Sequence, residues 1–248
     1  MAATQGLLTL LRLTLDGWPR AGRFFILSMG SLHITIIVAS LALLALIWQR
    51  DRARTSRQRA RMFDLCIPLQ IEPQLTERRG DFPLLTGRYR AETFTLEAFP
   101  DTLGYRKIPS LWMQVTAETK LPVSGTIDIL ARAQNIEFFS PSYELDVALP
   151  VPASWPQPMQ FRANTHNHGL DIARIEMPVA KLFSDHRIKE LLITERGLRV
   201  VYQLSQAEKS RYLVFRMAEF EEMTVNPAFL RELMDEMHNL RDHIGPRS

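Results

Sequence analysis

Residues 24–48 (FFILSMGSLHITIIVASLALLALIW) run for 25 positions without an Asp, Glu, Lys or Arg, and a chain holding such a stretch has few ways to keep it from water. As a helix rising about 1.5 Å per residue it reaches roughly 37 Å, enough to cross about 30 Å of hydrocarbon with some tilt. The spacing predicts a transmembrane helix over 24–48. A cleaved secretory signal has an apolar core of about 7 to 15 residues close to the start of the chain. This run is longer, begins later, and is followed by arginines rather than by a small-residue cleavage site.

Those arginines are Arg50, Arg52, Arg54, Arg57, Arg59 and Arg61, six against the three on the other flank, Arg12, Arg20 and Arg23. Positive charge close to a span stays in the cytoplasm. The expected topology is therefore single-pass, with the C-terminal bulk on the cytoplasmic side of an inner membrane and the arginine run against anionic headgroups. The chain has 25 Arg and 5 Lys, a bias read as the trace of a GC-rich, bacterial genome. Within the span, Ser28, Gly30, Ser31, His33 and Thr35 make the first half the more polar one. Either this half lies at headgroup depth, or Gly30, Ser31 and His33 meet another membrane helix, where small and hydroxyl residues permit close approach. Ahead of it Leu7, Leu8, Leu11 and Leu15 share one helical face, opposite Thr9, Arg12 and Asp16. Two readings stand for residues 1–23: an interfacial helix or a disordered tail.

The organisation read from the sequence is thus an N-terminal interfacial segment (1–23), a transmembrane helix (24–48), an Arg-rich juxtamembrane segment (49–61) and a cytosolic α+β domain (62–248). The whole chain carries +3, but residues 1–61 hold nine Arg against Asp16 and Asp51, leaving 21 basic and 25 acidic residues from Met62 onward. A mildly acidic domain lacks the basic face that nucleic acid requires, so nucleic acid is excluded as a partner. Cys66, the single cysteine, cannot close an internal disulfide and reads as a buried structural thiol.

Period-two patterning predicts a mainly antiparallel β domain. In GRYRAETFTLEAF, Tyr89, Phe94, Leu96 and Ala98 fall on one face, with Arg88, Arg90, Thr93, Thr95 and Glu97 on the other. Further strands are expected at 111–116, 125–131, 159–162 and 212–217, and a hairpin joins 191–194 to 198–204 around Glu195, Arg196 and Gly197. A strand near Cys66 carrying Pro68 and Pro73 belongs at an edge. Pro141, Pro150, Pro152, Pro156 and Pro158 surround Trp155; residues 141–158 are read as a crossover loop, with a lobe boundary or a docking segment displaying Trp155 as the alternatives. A helical turn or two is expected at 179–183. The C-terminal α-helix is predicted from Asn226-Pro227 as cap and first turn and Gly245-Pro246 as stop. Its stripe of Leu230, Leu233, Met237, Leu240 and Ile244 covers the domain's own sheet or serves an oligomer contact.

His166, His168 and Asp171 (HNHGLD) form the sharpest chemical constellation, because two imidazoles on alternate residues and a carboxylate can converge on a divalent metal. Asn164, Asn167 and Gly169 around them describe an ordinary exposed turn. Asp185 and His186 either complete that site or cap a helix end. Arg88, Arg90, Arg106 and Lys107 with Tyr89 and Tyr105 form a second candidate, a phosphate patch. The chain has no GxxxxGK[ST], GxGxxG, GxSxG, HExxH or CxxC motif, and no cofactor is expected. The expectation is a non-enzymatic, membrane-anchored module that binds or helps assemble a membrane-associated protein. The alternative is a membrane-tethered enzyme or metal-dependent sensor using the His166, His168 and Asp171 region.

Overall fold

The computed structural model of the chain describes residues 20–78, 81–101, 108–133, 137–209, 212, 220 and 223–245, with the side chains of 20–32 and 34 outside that description. Two compact units result, Met1–Thr55 and Ser56–Ser248.

Helix α1 (Arg20–Ala60) carries the long apolar run. Among the described residues no helix is long and apolar enough to cross a membrane. The large apolar side chains described on α1 fall within residues 36–48, short of the roughly 20 that a span requires. At the start of the expected span, positions Gly30 and Ser31 included, only the helical backbone is described, and residues 1–19 of the expected interfacial segment lie outside the described residues. His33 is described and exposed, and Arg52 sits over the Trp48 ring, 5.3 Å from its centroid.

The second unit is α+β. Among the described residues nine strands make one wholly antiparallel sheet: β1 (Ile71–Thr76), β2 (Leu84–Tyr89), β3 (Glu92–Pro100), β4 (Ser110–Glu118), β5 (Thr126–Ala131), β6 (Val147–Ala148), β7 (Met159–Ala163), β8 (Ile188–Thr194) and β9 (Gly197–Gln206), in the order β1-β2-β3-β4-β9-β8-β5-β7-β6. Alternation makes one face apolar. Leu85, Leu96, Val115, Val200, Leu191, Ile129 and Phe161 lie in register across seven strands and are fully or almost fully buried. Two helices complete that core, α2 (Ile172–Leu182) and α3 (Pro227–Ile244). The Tyr202 ring of β9 meets Phe229 of α3 edge-on at 4.9 Å.

Helix α3 starts and stops as expected. The Asn226 side chain accepts from the backbone N–H of Ala228 and Phe229, Pro227 occupies the first turn and Gly245 ends the helix. Leu230, Leu233, Met237, Leu240 and Ile244, joined by Met234, are buried against the domain's own core, so the stripe faces inward. Pro73 lies on β1, an edge strand, as expected. Cys66 is not on that strand, however. It precedes a 3-10 turn, Ile67–Leu69, and is fully buried, its Sγ 3.5 Å from Val225 O.

One expectation is corrected, and residues 141–158 follow the first of their three readings, a loop lying against the domain. Helix α2 has eleven residues rather than a turn or two: Asp171 caps it by accepting from Ala173 N, and Pro178 stands inside it, where proline ordinarily breaks a helix. Residues 141–158 do not divide the domain, since β5 and β7 pair directly on either side of them. They hold a 3-10 turn (Ser142–Glu144) and β6. Trp155 is not a displayed docking residue. It is 2% exposed, its ring lies 5.1 Å from Phe161, and its Nε1–H donates to Glu176 O at 2.9 Å, fastening the loop to α2. The strand expected at 212–217 lies outside the described residues apart from Tyr212.

Candidate functional site

The turn before α2 brings His166, His168 and Asp171 close in sequence but gives them separate tasks. His166 is exposed; His168 is buried, and its Nδ1 accepts from Leu170 N at 3.1 Å. That acceptor role requires the neutral ring. Burial first, and the charge of His166 second, push the His168 pKa down. Asp171 is occupied as the helix cap. Asp185 is held by Arg187 through Nε at 3.1 Å and Nη2 at 2.6 Å, which keeps its carboxyl below the usual range. His238 and His243 sit on α3: His238 Nδ1 lies 3.3 Å from Glu92 Oε2, and His243 Nδ1 2.8 Å from Asn239 O. Among the described residues no group of three or more His, Cys, Asp or Glu is placed to hold a metal ion.

In the expected phosphate patch, Arg90 pairs with Asp235 of α3 at 2.6 Å and Tyr89 O–H donates to the same carboxylate at 2.9 Å. Arg88 is exposed on β2, while Tyr105, Arg106 and Lys107 lie outside the described residues. What remains of the patch ties β2 to α3.

The densest polar chemistry lies on the other face of the sheet, at residues the sequence did not mark. Register places Asp128 of β5 opposite Leu192 of β8, and Leu192 opposite Arg199 of β9; Glu190 lies two residues along β8 on the same side. Asp128, Glu190 and Arg199 are therefore diagonal neighbours on three strands. Asp128 and Glu190 are fully buried. The Arg199 guanidinium grips Glu190 with both arms, Nη2 to Oε1 at 2.9 Å and Nε to Oε2 at 3.2 Å, and Nη2 also donates to Phe139 O at 2.8 Å. Ser140 Oγ–H donates to Asp128 Oδ2 at 2.6 Å, whereas Asp128 Oδ1 has no hydrogen-bond partner among the described residues.

Two buried carboxyls beside one guanidinium cannot both ionise cheaply. Burial, opposed by Arg199 and reinforced by Asp128, pushes the Glu190 carboxyl up to about 8; burial likewise raises Asp128 against its bonds to Ser140 and the charge of Arg199. A proton held between the two carboxyls supplies the donor that Asp128 Oδ1 otherwise lacks. Beside it, a bulge in β8 between Ile188 and Glu190 turns Lys189 to the same side. Lys189 Nζ donates to Arg132 O at 2.6 Å and pairs with Glu137 at 3.1 Å. The arrangement ties a loop to a sheet, and its two carboxyls are fully buried. Next to it, an open depression of about 440 Å³ is lined by β4, β8 and β9, with Gln114, Thr116, Leu192, Thr194 and Arg199 among its walls.

Sequence reasoning missed this cluster for a physical reason. Alternation assigns Asp128 and Arg199 to the solvent side, and Lys189-Glu190 looks like the end of a loop rather than the start of β8. The burial comes from a loop that crosses over them, which no local pattern reports. Compared with known proteins, the chain matches no family model, no curated protein and no solved structure.

Proposed function

We propose that the chain is a single-pass protein of a cytoplasmic membrane, anchored by helix α1 across residues 24–48, whose domain on the cytoplasmic side binds or helps assemble a membrane-associated protein. One observation supports the anchor above all others. Ile36, Ile37, Val38, Leu41, Leu43, Leu44, Leu46, Ile47 and Trp48 are each more than half exposed on α1. At 100° per residue these positions cover every side of the helix, and a helix apolar all round belongs in a protein interior or a bilayer. Burying each such side chain gains about 1.5 to 3 kcal/mol. The run from Arg50 to Arg61 beside them supplies the charge that keeps that side in the cytoplasm.

Binding rather than catalysis is favoured by what the reactive groups are doing. His168, Asp171, Asp185 and Glu190 are each committed to an internal bond. Tethering also raises the domain's concentration near other membrane proteins. The partner is met through the membrane helix at Gly30, Ser31 and His33, or through the domain's surface. A reporter fused after Ser248 should behave as cytosolic, and protease outside intact cells should leave the domain whole. Crosslinking in intact membranes followed by mild-detergent purification should then recover a membrane protein; its loss when residues 24–48 are replaced by an unrelated span assigns the contact to the membrane helix, and its retention assigns it to the domain's surface. External cleavage within 62–248, or recovery of the chain in the aqueous fraction without detergent, overturns the proposal.

A further inference from the structure

Residues 137–145 lie across the outer face of the sheet, and almost everything that holds them there is a side chain. Among the described residues their backbone-to-backbone hydrogen bonds are local turns: Ser140 N to Glu137 O, Glu144 N to Pro141 O and Leu145 N to Ser142 O. The ties to the sheet are Ser140 Oγ to Asp128, Phe139 O to Arg199, Glu137 to Lys189, Ser142 Oγ to Gln160 at 3.3 Å, and Leu145 O to Arg162 at 2.8 Å. The Phe139 ring packs 5.3 Å from Trp112. Two of these ties end on the Asp128, Glu190 and Arg199 cluster itself. Arg132, at the end of β5, adopts φ +49, strained for a residue with a Cβ.

We propose that residues 137–145 are a strap that closes over the outer face of the sheet while Asp128 and Glu190 hold one proton between them, and that lifts when this proton leaves to water. With the proton in place, Asp128 Oδ1 has its donor and the cluster is neutral, one guanidinium against one carboxylate. Without it, two adjoining carboxylates face one guanidinium and an unsatisfied buried oxygen, a state relieved only by admitting water. The strands are held more firmly, β5 to β8 by an unbroken backbone ladder and β8 to β9 by one that is unbroken from Glu190 to Thr194. The strap can lift, because Ser140, 3% exposed, is what stands over Asp128. The other charged groups facing the pair are Arg199 from β9, Lys189 from β8, Arg132 from the end of β5 and Arg162 from β7, with Glu137 of the strap paired with Lys189. Lifting the strap uncovers Trp112, Asp128 and Glu190 and extends the depression lined by Gln114, Thr116, Leu192 and Arg199.

Hydrogen exchange of the full chain in detergent micelles, followed from pH 5 to 9 and divided by the intrinsic exchange rate, tests this. An opening linked to one proton should lower the protection of peptides covering 137–145 by up to tenfold per pH unit between about pH 5 and 8 and then level off. Peptides of β8 and β9 should stay far better protected throughout. Glu190→Gln, which keeps a donor for Asp128 but cannot ionise, should flatten the slope, and Asp128→Asn provides the same test from the other partner. Ser140→Ala should loosen the strap at every pH while keeping the slope, a pattern that mere misfolding would not give. Protection of 137–145 that is independent of pH, a slope unchanged in both carboxyl variants, or exchange of the strap only together with β8 and β9 overturns the proposal.

Discussion

A carboxyl whose pKa is raised by burial makes folding pH-dependent in a definite direction. Glu190 binds its proton more tightly folded than unfolded, so its contribution to stability is complete below about 4.5, the unfolded value, and is lost as pH rises to about 8. His168 works the other way. Its folded pKa is depressed below 6.5, so its contribution is present above that value and is lost as pH falls through the folded pKa. Denaturant titrations should therefore show stability falling between about pH 6.5 and 8, and Glu190→Gln should remove that decline; a decline of equal size in the variant would assign it elsewhere. The two histidines of HNH should also separate. His166→Ala is expected to change stability by less than about 0.5 kcal/mol, as exposed substitutions do. His168→Ala removes a buried acceptor from Leu170 N and should cost about 1 to 3 kcal/mol. Equal effects would mean that the two rings act as a pair.

At the scale of elements, what the sequence made legible is what local chemistry decides. Asn226, Pro227 and Gly245 mark the ends of α3, and Asn226→Ala should cost about 1 kcal/mol by unpairing the N–H of Ala228 and Phe229. The β8–β9 hairpin was legible from Glu195-Arg196-Gly197 and has a harder requirement than its spacing shows. Gly197 adopts φ +145, and a Cβ there would collide with Ala117 O on the neighbouring strand β4. Gly197→Ala should therefore destabilise by about 3 kcal/mol, read as a lower urea midpoint at constant slope, whereas a neutral result would show that β4 and β9 can separate at that end. The illegible parts are those in which one residue type has two uses. Asp171 reads equally as a metal ligand or a cap, Pro178 as a break or an internal helix position, and Trp155 as a displayed anchor or a buried one. Tertiary contacts choose between them. The Asp128, Glu190 and Arg199 cluster is further from reach, since its members sit on three strands that are neighbours only after the sheet has formed.

For the whole molecule, the same contacts fix where the folding unit begins. The sequence places the domain from Met62, yet the compact unit starts at Ser56, and the difference has a cause in packing. Met62, Phe63 and Cys66 are fully buried in the core. Val225 N donates to Met62 O at 3.1 Å, tying this entry segment to the residues that lead into α3. The Arg59 guanidinium lies over the Phe82 ring, 4.7 Å from its centroid. A chain cut before Ser56 keeps all of these and should unfold cooperatively, monodisperse in water without detergent. One cut before Met62 forfeits the contact of Arg59 with Phe82, worth about 0.5 to 1 kcal/mol near a surface, and should remain folded with a slightly lower midpoint. One cut before Ile67 loses three fully buried side chains at about 1.5 to 3 kcal/mol or more apiece, much of a domain's net stability, and should be molten or aggregated. If that shortest chain unfolds as cooperatively as the longest, the entry segment is an accessory to the core rather than part of it.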